Sequence, residues 1–244
     1  MTARISQAFM LRTRKTAGAV LGTLLALLVV LSTSTVVSAH GVSGKDAVFL
    51  QGIDGPAIGP LVYLGAKHMV TGYDHLLFLV GVIFFLYRLK DIIQYVSLFT
   101  LGHSVTLLAG VLGGIRANSY LIDAVIGFSV VYKAFENMDG FKWFAGVQPN
   151  TRLAVLVFGF FHGFGLATKL QDFAISPNGL VTNIVSFNVG VEIGQGLALT
   201  AVLIGLSYWR TRRGFLAHAF ATNAVVMGCG FLLIAYQLSG YFLA

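Results

Sequence analysis

Asp74, His75, His103, His162 and Glu192 stand in or at the edge of long apolar runs, with His68 six residues before Asp74. Charge is expensive in hydrocarbon, so ionisable residues in such runs mark functional sites by default. Imidazoles and carboxylates together make a borderline-to-hard donor set, suited to nickel, zinc, cobalt or copper(II); carboxylates alone would suit calcium or magnesium. A bound dication would offset the cost of burying the carboxylates. Without one, they would be protonated or paired with the histidines. Any one of these histidines would serve as well as a structural hydrogen-bonding group. The set as a whole reads as a metal or proton site, provided the elements bring it to one depth.

Those elements are membrane helices. The 244-residue chain is 57% hydrophobic and only 10% charged, where a soluble domain carries roughly 25% charged residues. Its apolar runs are continuous rather than alternating, which points to an all-α polytopic membrane protein and away from a barrel. The formal charge of +7 is no nucleic-acid signal, because Arg4, Arg12, Arg14 and Lys15 crowd the N-terminus and the rest is mostly in short loops. A single cysteine, Cys229, excludes an internal disulfide and a thiolate cluster.

Residues 1–39 read as a signal peptide: a basic start, an apolar stretch Ala17–Leu31, and Val37-Ser38-Ala39 before the cleavage point. Cleavage there would leave His40 at the mature N-terminus. Residues 40–57, glycine-rich and without periodicity, read as an extracytoplasmic segment. A short apolar helix from Pro60 to Val70 is expected to lie at the interface, carrying His68. The six-helix transmembrane domain, 58–244, then has about six spans: Tyr73–Tyr87, Ile92–Leu112, Tyr120–Asn137, Arg152–Leu170, Val181–Trp209 and Ala219–Leu243. Arg88, Lys90, Lys142, Arg152, Arg210, Arg212 and Arg213 fall in loops on one side, against Lys45, Lys67, Arg116 and Lys169 on the other. The positive-inside rule makes the first side cytoplasmic and both mature termini extracytoplasmic.

This topology places Asp74 and His75 at the outer end of the first span and His103, His162 and Glu192 in the middle to outer parts of theirs. Asn188, Glu192 and Gln195, at i, i+4 and i+7, share a stripe. Gly190 with Gly194, and Gly159 with Gly163, allow close helix approach. Thr100, Ser104, Asn188 and Gln195 are the hydroxyls and amides expected to orient the ligands. Lys133 with Glu136, at i and i+3, reads as an internal ion pair near the cytoplasmic end; the functional alternative places Glu136 and Asn137 on the way out to the cytoplasmic side.

Gly72-Tyr73-Asp74-His75-Leu76-Leu77-Phe78, Phe99 to Leu107, Glu136-Asn137, Phe158 to Gly165 and Phe187 to Gln195 together resemble the HupE/UreJ family of hydrogenase and urease accessory membrane proteins, over about residues 58–242. The resemblance implies a small protein of the bacterial inner membrane associated with uptake of nickel, or of cobalt. It implies that Asp74, His75, His103, His162 and Glu192, with His68 beside them, are the metal ligands.

The leading expectation is a divalent metal permease, nickel first. The chain has no Gly-x-x-x-x-Gly-Lys-[Ser/Thr] loop and so does not itself use ATP. The same residues also fit a zinc-dependent intramembrane metallohydrolase with Glu192 or Asp74 as general base, or an accessory protein that binds metal without moving it. Expected partners are the metal ion and the lipid bilayer, with a second copy or accessory proteins besides, and no nucleic acid.

Overall fold

The computed structural model describes residues 44–172 and 176–243; the expected signal peptide and His40 lie outside the described residues. Among the described residues there is no strand. The helices are α1 (Gly44–Gln51), α2 (Ile58–Thr71), α3 (Tyr73–Ile83), α4 (Leu89–Leu112), α5 (Ser119–Asn137), α6 (Gly140–Ala145), α7 (Thr151–Gln171), α8 (Leu180–Arg210) and α9 (Phe215–Leu243).

Four of them, α4, α7, α8 and α9, are long and apolar enough to cross a membrane. Their bounds follow the apolar runs closely. Asn150 caps α7 by accepting from the backbone N–H groups of Arg152 and Leu153, and Asn118 caps α5 by accepting from Leu121. The outward side chains of the long helices include Leu101, Leu153, Ile193, Ile204 and Phe220, all exposed, a surface suited to hydrocarbon. α5 has 19 residues but carries Asp123, Lys133 and Glu136, and its interior is largely buried.

The first part of the bundle departs from the sequence expectation. Residues 58–71 form a helix with one side buried, at Leu61, Leu64, Gly65 and Met69. Helix α2 runs parallel to α8 and in contact with it: Asn183 accepts from Ala57 N–H at 2.8 Å, Val62 meets Gly190, and Ala66 meets Gly194. Helix α3 ends where α8 ends, for the Arg210 guanidinium donates to the carbonyls of Ile83 (2.5 Å) and Phe84 (2.8 Å) and lies over the Tyr87 ring. So α2 and α3, about 21 and 16 Å long, make one path beside α8, broken at Gly72. Tyr73–Tyr87 is not a complete span, since α3 stops after 11 residues. Nor is the segment before Pro56 irregular: α1 forms there, and Leu50 and Ile53 are buried.

Two helix pairs use the same glycine register. In α2 and α8, a Cβ on Gly65 would strike the backbone of Phe187 and Val191, while Gly190 and Gly194 face Val62 and Ala66. In α4 and α7, a Cβ on Gly102 would lie 2.6 Å from Leu156 O and 2.9 Å from Phe160 N, while Gly159 and Gly163 face Phe99 and His103. Each lone glycine thus meets the residues three before the partner's two glycines, and those two glycines meet the residues at −3 and +1 from it. Backbone-to-backbone contact of this kind is how membrane helices associate when no hydrophobic effect drives them together. Gly102→Ala should therefore lower the melting temperature of the detergent-solubilised protein by several degrees, by overpacking worth roughly 1–3 kcal/mol. Gly196→Ala, on the same scaffold but with open space around the new methyl, should leave it unchanged.

Candidate metal centre

The break at Gly72 is a departure from helical backbone (φ −72°, ψ 106°) rather than a left-handed turn. Room decides the residue type as well: a Cβ there would lie 2.9 Å from His75 Nδ1 and 3.3 Å from Asp74 Oδ1. Asp74 falls in the first turn of α3, where the helix dipole favours a carboxylate. The site is thus assembled around the break, with His68 in the last turn of α2 and Asp74 and His75 in the first turn of α3.

Three other helices bring partners. His103 comes from α4, His162 from α7 and Ser129 from α5. Asp74, His75, His103 and His162 are each no more than 2% exposed. One ligand atom from each of Asp74, His75 and His162 lies within 4.8 Å of the others. The His75 ring centroid is 5.0 Å from that of His68, 4.8 Å from His162 and 6.0 Å from His103. Phe78 and Phe99 pack edge and face against these rings and keep the surroundings apolar.

The hydrogen bonds of His75 and His162 decide which nitrogen each of these two rings presents. The Ser129 hydroxyl has one proton and donates it to Ile126 O at 2.6 Å, so its 3.1 Å contact with His162 Nε2 must be accepted from the ring. His162 is then protonated on Nε2, and Nδ1 carries the lone pair; Nδ1 has no hydrogen-bond partner among the described residues. His75 Nδ1 donates to Asp74 Oδ1 at 3.0 Å, which makes Nε2 the lone-pair nitrogen. His103 has no hydrogen-bond partner for either ring nitrogen among the described residues. A buried imidazole without partners forfeits the hydrogen bonds it made in water and calls for an explanation. Ligation supplies one. A carboxylate or hydroxyl on the far nitrogen of a histidine is the usual way a protein orients it toward a metal.

A family model described as HupE / UreJ protein matches residues 44–244. The chain belongs to the HupE/UreJ family. No curated protein and no solved structure matches it.

Of the residues singled out in this HupE/UreJ sequence, the fold brings together His68, Asp74, His75, His103 and His162. It does not bring Glu192: that residue is exposed on the outer side of α8. Four residues advance a helix by 400°, so Glu192 is turned about 40° from Asn188 and about 60° from Gln195, enough to leave the buried face. Asn188 and Gln195 are buried, and they tie α8 to α4. Asn188 donates to Ser104 at 3.0 Å, and the Thr100 hydroxyl lies 2.9 Å from Gln195 Oε1. These four therefore hold helices together, although Gln195 also lines a void of about 10 Å³ beside His75. Glu136 and Asn137 form a separate network near the end of α3. Ser129, which orients His162, was not among the expected residues. Its signal was available: Ser129, Lys133 and Glu136 stand at i, i+4 and i+7, a polar stripe on one face of α5, and all three are buried.

Two substitutions separate these roles. Ser129→Ala leaves His162 free to take the other tautomer and should weaken transition-metal binding to the purified protein roughly 10-fold or more, read by calorimetric titration. Glu192→Gln should leave that affinity unchanged.

Proposed function

We propose that this HupE/UreJ protein is a divalent metal permease of the bacterial inner membrane, carrying nickel first and cobalt next. The observation that supports it is the cluster itself: three buried imidazoles and one buried carboxylate at a helix break, with half-buried His68 beside them, and with His162 Nδ1 and both nitrogens of His103 given no hydrogen-bond partner among the described residues. Nitrogen-rich donors with one carboxylate suit nickel and cobalt better than calcium or magnesium. In this reading the broken pair α2–α3 counts as one crossing, which with α4, α5, α7, α8 and α9 makes six. The Leu180 end of α8 faces outside and the Arg210 end faces the cytoplasm, as the basic residues require.

The charge of the cluster fits passage. The imidazoles bind as neutral ligands, so Asp74 is the one charge in the close group to set against a dication. The loaded site keeps a net positive charge in a poorly solvating interior. Binding is then strong enough to strip water from the ion and weak enough to let it go, the condition for conduction. The ion enters at the Leu180 end past His68, is held by Asp74, His75, His162 and His103, and leaves toward the Arg210 end. Movement is facilitated or coupled to an ion gradient.

Radiolabelled nickel uptake by cells tests this. His103→Ala and His162→Ala should each reduce uptake to the level of cells lacking the protein, with membrane abundance confirmed by immunoblot. Uptake unchanged in both variants would sink the permease reading. Flux into liposomes holding the purified protein would separate transport from metal binding alone.

A further inference from the structure

Six residues along α3 from His75, about 9 Å of helix rise, the interior becomes polar again. Lys133 Nζ donates to Glu136 Oε2 at 2.7 Å and to Asn137 Oδ1 at 2.9 Å. The Asn137 amide donates to Gly81 O at 2.8 Å and to Asn223 Oδ1 at 2.9 Å, which aims its carbonyl oxygen at the ammonium. The other Glu136 oxygen accepts from Gln148 Nε2 at 3.1 Å and from the Thr151 hydroxyl. The Lys133 stem runs over bare backbone: a Cβ on Gly81 would be 3.1 Å from Lys133 Cγ. A cavity of about 320 Å³ adjoins this group, lined by Phe85, Lys133, Glu136, Asn137, Asp139 and Gln148.

Two oxygens from α5, fixed by bonds to α3, α7, α9 and the 148 loop, therefore converge on one positive nitrogen beside a polar cavity. Oxygens placed to hold an ammonium also suit a hard dication, with water from the cavity completing its coordination. We propose that Glu136 Oε2 and Asn137 Oδ1 form a second cation site, for a partly hydrated divalent ion, and that Lys133 is a tethered competitor that fills it between passages. As the exit step of the pathway, this rests on the permease reading. The ion arriving from the histidines displaces the ammonium, which swings on its four-carbon stem into the cavity. When it returns, it expels the ion from the oxygens. A site closed by its own lysine does not trap metal.

The test titrates Mn²⁺, an ion that favours oxygen ligands, into the purified full-length protein and counts bound ions by electron paramagnetic resonance. Lys133→Met should bind one Mn²⁺ per chain more than the wild type. Lys133→Gln, which keeps a donor for Glu136 should the first variant fold poorly, should gain the same ion. Lys133→Arg should gain none, and the double change K133M/E136Q should lose the extra ion again. Equal binding by the wild type and whichever neutral variant is monodisperse would overturn the proposal, as would an extra ion that survives in K133M/E136Q. Nickel flux by the wild type is read separately. No flux together with an extra Mn²⁺ removes the permease reading and keeps the cation site; flux without the extra ion removes the site alone.

Discussion

Gly72 interrupts a helix inside an apolar bundle, where backbone N–H and C=O groups have no water to fall back on. The break is tolerable because part of the loss is repaired on the spot. Gly72 N–H donates to His68 O at 2.9 Å, and Leu76 N–H donates to Gly72 O at 3.0 Å. What is left becomes useful. The end of α2 carries partial negative charge and favours a cation, while the start of α3 carries partial positive charge and favours the Asp74 carboxylate. Interrupted helices are a recurrent way for membrane proteins to build ion sites, and the break at Gly72 puts three candidate ligands within eight residues of chain.

The break would be idle without close helix approach. Three histidines on α2, α3 and α4 and a fourth on α7 meet only because the helix pairs α2–α8 and α4–α7 come into backbone contact through their glycines. In α4 and α7 the packing and the site are one contact: the carbonyl of His103 is the group that Gly163 lies against. A side chain at position 163 would push α7 off α4 and carry His162 away with it. The Gly-x-x-x-Gly spacing in α7 therefore sets how far apart two candidate ligands stand.

The long helices were readable because their apolar runs are unbroken and end at Asn, Gly or Arg. What residues 58–71 pack against was not legible, because the partners are the glycines of α8, more than a hundred residues away. Glu192 misled because i, i+4, i+7 spacing fixes a stripe without fixing where the buried face stops. Which histidines share the cluster was legible from depth and residue type. Their protonation was not, because it depends on Ser129, whose role appears only when α5 and α7 are packed together.

α5 is the helix that joins the two polar regions. Its stripe begins with Ser129 against His162, continues through Lys133 and ends with Glu136, and Asn137 beside it reaches α3 and α9. Charge along this face is arranged unevenly. At the histidines, a single carboxylate leaves a dication undercompensated. At the far end, Glu136 is already paired with Lys133, so a dication arriving there in the proposed pathway would have to compete for it. An interior with both carboxylates uncovered would bind a dication tightly at each end and release it slowly. In the proposed permease, one carboxylate shared among neutral imidazoles and another covered by a lysine would keep both steps shallow, and a shallow profile is what movement through a membrane requires of a site that also has to strip water from its ion.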